Sequence, residues 1–132
     1  MKKNKHSKKK IFTEFLSPAN FLLRLSDKAY KKYLSNKIYL HARNIRKANK
    51  QVYKLMMKKM AIIPADLQED CIALLNHYDC WMRQFKEEEQ LRKPSMNDEF
   101  IFNRLDEQMA FPRLSEQKIY EAYIKFNNQK TQ

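Results

Sequence analysis

A chain of 132 residues is long enough for one domain with one real core, and its 43% hydrophobic and 12% aromatic content excludes wholesale disorder. It contains no glycine, which argues against folds built on tight hairpin turns or phosphate-cradling loops: β-hairpins, Rossmann crossovers and P-loops. Its formal net charge is +12, and no apolar run approaches the roughly 18–20 residues needed to span a bilayer.

Residues 1–10 (MKKNKHSKKK) form a lysine-rich tail, expected to be disordered when free. Lys2, Lys3, Lys5, Lys8, Lys9 and Lys10 suit a flexible arm on phosphates. They would also suit an anionic membrane, but no acylation signal accompanies them, so a membrane is the weaker partner. Glu14, Ser17, Pro18 and Asn20 interrupt what would be the apolar region of a signal peptide, which leaves a cytoplasmic protein as the expectation. A single helical domain is expected over residues 11–127. Ser17-Pro18 reads as an N-cap followed by proline at the first helical position. That helix runs to about residue 35 or 36 and buries Leu22, Leu25, Ala29 and Tyr33, with Ser26-Asp27 as a second possible start.

A second helix is expected over about 37–62. Ile38, Ala42, Ile45, Asn49, Val52, Met56 and Ile63 recur at spacings of about four and three, giving one apolar seam. Ile63-Pro64 ends it, because the residue before proline avoids helical angles. The seam also resembles a short heptad pattern with Asn49 as its register-setting polar residue, so it either packs inside its own bundle or pairs with another copy.

A third helix follows from about Pro64 to Lys93. Leu67, Cys71, Leu74, Tyr78, Trp81 and Phe85 repeat the same spacing, which makes the helix around Trp81 the expected hydrophobic centre. Cys71 and Cys80 fall on opposite sides of it and are expected as reduced thiols. Glu87, Glu88 and Glu89 lie at helical spacing from Arg83, Arg92 and Lys93, so local ion pairs are expected. Beyond Pro94, Ser95 and Asp98 resemble a capping box, which predicts a helix over 96–109 burying Phe100, Leu105 and Met109; residues 99–103 (EFIFN) also suit an extended strand. Phe111-Pro112 ends that segment. Ser115 reads as the cap of a last helix carrying Ile119, Ala122, Tyr123 and Phe126, with residues 128–132 frayed. The fold class is therefore all-α, a compact bundle of four to five helices.

The charge is unevenly distributed. Residues 1–23 carry six lysines against Glu14, residues 24–59 carry twelve basic residues against Asp27, and residues 60–132 carry nine basic against thirteen acidic. On the second helix, Arg43, Lys47, Lys50, Lys54 and Lys58 follow spacings of four, three, four and four, opposite the seam. They span about 22 Å at the helical rise. Arg46 flanks this stripe, and Lys28, Lys31, Lys32 and Lys37 extend it from the first helix. Tyr30, Tyr39 and Tyr53 are interleaved, as aromatic stacking platforms for bases would be.

Such a stripe suits phosphates, because lysines neutralise backbone charge and carry no base code. It also suits a solvated face, or a face paired with the acidic third helix or an acidic partner protein. His77 and Cys80 share a helix three residues apart, but a metal site needs three or four ligands, so no metal or other cofactor is expected. Asp70 and His77 lie about 10 Å apart along the helix, too far for acid–base work. No arginine precedes His77 at the spacing of a helical ribonuclease pair, and no serine or cysteine nucleophile is paired with histidine. The expectation is a non-enzymatic accessory protein that binds DNA or RNA. The alternative is an interaction module that docks an acidic protein or forms a homo-oligomer through its seam. A small toxin or inhibitor acting by binding is a third reading.

Overall fold

The computed structural model describes residues 7–101 and 111–130. The chain forms α1 (Lys8–Ile11), a π turn (Phe12–Leu16), α2 (Ser17–Ser35), α3 (Tyr39–Lys58), a 3-10 turn (Met60–Ile62), α4 (Ala65–Arg92) and α5 (Arg113–Lys130). No strand occurs among the described residues; the one bridge joins Ile38 and Glu99. The fold is all-α, as the glycine-free composition and the seams predict.

α2 packs on α3, α3 on α4, α4 on α5, and α5 back on α2 and on the π turn. Side-chain pairs give the directions. Ser26 of α2 meets Asn49 of α3, Arg46 of α3 meets Glu89 of α4, and Lys118 of α5 meets Asp70 of α4. Arg24 of α2 lies over the Tyr120 ring of α5. Each neighbour runs antiparallel to the last, giving an up-down-up-down four-helix bundle.

The start of the bundle differs from the expectation. Lys8, Lys9 and Lys10 are helical, and Ser7 is the true N-cap, its Oγ accepting from the Lys10 N–H at 3.0 Å. Ser17 lies within a continuous helical run. Phe12, Phe15 and Leu16 are buried, with the Phe12 ring stacked on Tyr123 of α5 at 5.5 Å, and their burial draws the helix upstream of Pro18. Proline in a helix interior removes one N–H and crowds the preceding turn. The π turn meets both demands: the Ser17 N–H donates to the Phe12 carbonyl, widening the helix just before the ring. On α2 the buried residues are Ala19, Leu23 and Tyr33, while Leu22 and Ala29 are half-buried and Leu25 is exposed.

The α3 seam is as expected. Ala42, Ile45, Asn49, Val52 and Met56 are buried, as is Ile63 beyond the helix end; Ile38 is half-buried. The polar member of the seam is satisfied within the chain, Ser26 Oγ donating to Asn49 Oδ1 at 2.6 Å. On α4, Leu67, Cys71, Leu74, Tyr78 and Phe85 are buried, but Trp81 is only half-buried at the edge. The core divides into two clusters. The larger gathers the π turn, α2, α3, α4 and Ile119 around Leu74 and Tyr78, and the smaller joins Tyr33, Tyr39, Ala42, Ile45, Phe85 and Phe100.

α4 is closed by Lys93 just past its last residue, in the left-handed conformation (φ 47°) that glycine usually supplies there. Residues 96–101 are not helical. Asp98 does bond back to the Ser95 N–H at 2.7 Å, but as a turn. The segment then lies across the start of α3, where no side-chain cap exists. The Asp98 carbonyl accepts from the Tyr39 N–H and the Met96 carbonyl from the Leu40 N–H, each at 2.9 Å, while the Phe100 N–H donates to the Lys37 carbonyl. Capping α3 with these carbonyls holds 96–98 as a turn and leaves 99–101 outside any helix. Phe100 is buried as expected; Leu105 and Met109 lie outside the described residues. α5 begins at Arg113, three residues earlier than the Ser115 cap implies. Pro112 sets the entry, its carbonyl accepting from the Glu116 N–H at 3.1 Å, and Ser115 is buried in the first turn. Residues 128–130 remain helical.

Candidate nucleic-acid interface

The α3 helix turns its seam inward, so the opposite face, with Lys47, Lys50, Lys54 and Lys58, is exposed. None of these four lysines pairs with a carboxylate among the described residues. They form a ridge in which like charges stand three and four residues apart, an arrangement that mutual repulsion disfavours by a few tenths of a kcal/mol per pair.

The flanks of the ridge differ. Toward α4, Arg46 is committed to the fold. Its Nη1 lies 3.1 Å from Glu89 Oε1 and its guanidinium sits 4.8 Å from the Phe85 ring centroid. Glu89 also accepts a hydrogen bond from the Tyr39 hydroxyl. Burial alone would raise the Glu89 carboxyl, but the Tyr39 hydroxyl and the Arg46 charge together hold it below the ordinary glutamate value. Arg46 is thus a structural residue, and the pairing of the basic helix with the acidic one is real at this point. Arg43 is half-buried, donating to Met96 Sδ at 3.2 Å and lying 5.9 Å from the Tyr39 ring. Tyr39 is buried, and Tyr53 is half-buried with Asp79 beside its hydroxyl, so neither offers an open ring to a base; Tyr30 is exposed.

Toward α2, the face opens into a groove of about 300 Å³ between the two helices. Lys28 and Lys32 line it from α2 and Lys47 from α3. The hairpin register fixed by Ser26 and Asn49 brings these three lysines together. Lys31 stands apart, exposed and paired with Asp27 one turn back at 3.1 Å. Of the sequence-derived set, the structure gathers Lys32 and Lys47 at the groove and Lys50, Lys54 and Lys58 on the ridge beside it. Arg46 and Lys31 are engaged elsewhere.

His41, Asn44 and Gln51 also line the groove. No charge pattern marks them. Their signal is a helical spacing of three and seven beside the stripe, which gains meaning only when α2 closes the other wall.

The remaining reactive groups are embedded in packing. His77 is buried, with Tyr78 and Phe111 each edge-on at 5.3 Å, and Cys80 accepts from Gln84 Nε2 at 3.5 Å. Burial, with Asp70 nearby, pushes the Cys71 thiol up to about 12, so it is no nucleophile at neutral pH. Among the described residues, no three His, Cys, Asp or Glu side chains are grouped to hold a metal, and no helix is long and apolar enough to cross a membrane. No protein-family model, curated protein or solved structure matches this chain.

Proposed function

We propose that this protein is a non-enzymatic, cytoplasmic accessory protein that binds nucleic acid through phosphate contacts made by the outer face of α3. One observation carries the reading: Lys47, Lys50, Lys54 and Lys58 form an exposed ridge without carboxylate partners among the described residues, while the neighbouring Arg46 is neutralised by Glu89. An external polyanion relieves the repulsion along the ridge and gains by releasing its own counterions. Lysines at this spacing follow a backbone and read no sequence. The α3 seam contributes to the chain's own core.

The test is binding measured against salt. If about five phosphates are neutralised, log affinity falls against log salt with a slope of about −4.5 on duplex or about −3.5 on single strands. Replacing Lys47, Lys50 and Lys54 together with glutamine removes most binding and roughly three contacts from the slope. A flat salt response in the wild type, or full binding by a folded triple variant, refutes the reading and leaves an acidic protein as the partner of the ridge.

A further inference from the structure

The groove beside the ridge has two chemistries. Its floor is apolar, made by Leu25 and Ala29 of α2 and Ala48 of α3, and the two alanines leave the space that larger side chains would fill. At about 300 Å³ it lies at the small end of the range for ligand pockets. Its rim carries Lys28, Lys32 and Lys47, and no acidic residue lines it. A bare phosphate would use the rim and leave the floor unoccupied. The matching ligand has an apolar planar part and an anionic part.

Polar groups on the α3 wall add directionality. His41 Nδ1 lies 2.8 Å from the Asn36 carbonyl oxygen, which can only accept, so Nδ1 carries the hydrogen and Nε2 is left for another partner. Asn44 and Gln51, both exposed, each offer an amide donor and acceptor. Such groups suit the edge of a base. One turn before Leu25, on the same face of α2, stands Phe21, whose large ring is 64% exposed. An open aromatic ring in line with the groove is a stacking platform for a neighbouring base.

We propose that this groove seats one unpaired nucleotide, its base on the Leu25–Ala29–Ala48 floor and its phosphates on Lys28, Lys32 and Lys47, so that the protein prefers single strands over duplex. This rests on the reading of the α3 face as a nucleic-acid surface. A duplex keeps its bases stacked inside, and its backbone is too broad for a groove between two helices packed about 8–10 Å apart. An unpaired base can be splayed into it.

The test is fluorescence anisotropy on the full chain, with a labelled mixed-sequence strand of about 12 nucleotides, as DNA and as RNA, and with the matching duplexes. The wild type binds the single strand about tenfold tighter than duplex at the same salt. Asn44→Ala with Gln51→Ala, which changes no charge, removes that preference and leaves duplex affinity and salt slope unchanged. Phe21→Ala alone weakens single-strand binding roughly fivefold or more. Tighter binding of RNA than of DNA would assign a role to the 2′-hydroxyl; either strand supports the proposal. Equal binding of single strand and duplex, or a preference unchanged in both folded variants, overturns it and leaves the phosphate-binding reading standing. No binding of either form overturns both.

Discussion

Arg46 on α3 and Glu89 on α4 form an ion pair at 3.1 Å with both side chains about three-quarters buried, the Tyr39 hydroxyl completing the carboxylate's surroundings. This pair bounds the cationic face on the α4 side, because Arg46 is neutralised there. It also gives the fold a pH dependence. The Glu89 carboxyl is held below its ordinary value, so the native state binds that proton less tightly than the unfolded chain. The stability it contributes is fully present above the ordinary glutamate value and is lost as pH falls through the depressed native one. Glu89→Gln is expected to cost roughly 1.5–3 kcal/mol at neutral pH, the usual worth of hydrogen bonds to a charged group. Urea melts from neutral pH downward should show the variant and wild type converging in acid. A constant difference at all pH values would mean the charge is not what Glu89 contributes.

The smaller core cluster centres on Phe85, which is fully buried and lies among Tyr39, Trp81 and Phe100 at ring separations of 5.2–6.4 Å. Phe85→Ala should cost about 3–5 kcal/mol, the usual range for a buried aromatic. Trp81, half-buried and stacked on one side of Phe85, should cost clearly less when truncated. The seam of α4 identifies both residues, but its period cannot tell which lies at the rim. Equal losses in thermal melts would place Trp81 back in the centre.

Lys93 is the described residue with a left-handed backbone in a chain that has no glycine. An L-residue there is strained by roughly 1–2 kcal/mol, and glycine would remove the strain at the expense of a more flexible unfolded state. Lys93→Gly is therefore expected to stabilise by about 0.5–1 kcal/mol. Chemical denaturation at equal slope reads this directly; a loss of stability would show that the Lys93 side chain contributes more than its backbone costs.

The helices were legible because their apolar residues repeat at three and four: Ala42, Ile45, Val52 and Met56 on α3, and Leu67, Cys71, Leu74 and Tyr78 on α4, are all buried. Local stop and start signals served less well where distant packing opposed them. Ser17-Pro18 has the chemistry of a helix start, yet burial of Phe12, Phe15 and Leu16 carries the helix through it by way of a π turn. Ser95 and Asp98 have the spacing of a helix cap, yet the uncapped N–H groups of Tyr39 and Leu40 recruit the following carbonyls. At the candidate site, the Lys47, Lys50, Lys54 and Lys58 ridge followed from the helical period alone. The groove did not, because its second wall depends on the register between α2 and α3, and Glu89 reaches Arg46 from 43 residues away.

That long-range pair separates two kinds of basic residue on one helix. Arg46→Gln leaves Glu89 and the face of Phe85 without their cation, and should destabilise by roughly 1.5–3 kcal/mol. Its charge is already neutralised, so it should leave the salt slope of nucleic-acid binding within about 0.5 of wild type, less than one phosphate contact. The triple replacement of Lys47, Lys50 and Lys54 should do the reverse. Their removal opens no cavity and eases repulsion, so the folded state should be as stable as wild type or a few tenths of a kcal/mol better. Thermal melts and salt titrations on the two variants give four readings, each variant changing chiefly the one the other leaves alone. If Arg46→Gln melts like wild type and loses a full contact from the slope, Arg46 belongs to the binding ridge and its pairing with Glu89 gives way to the ligand.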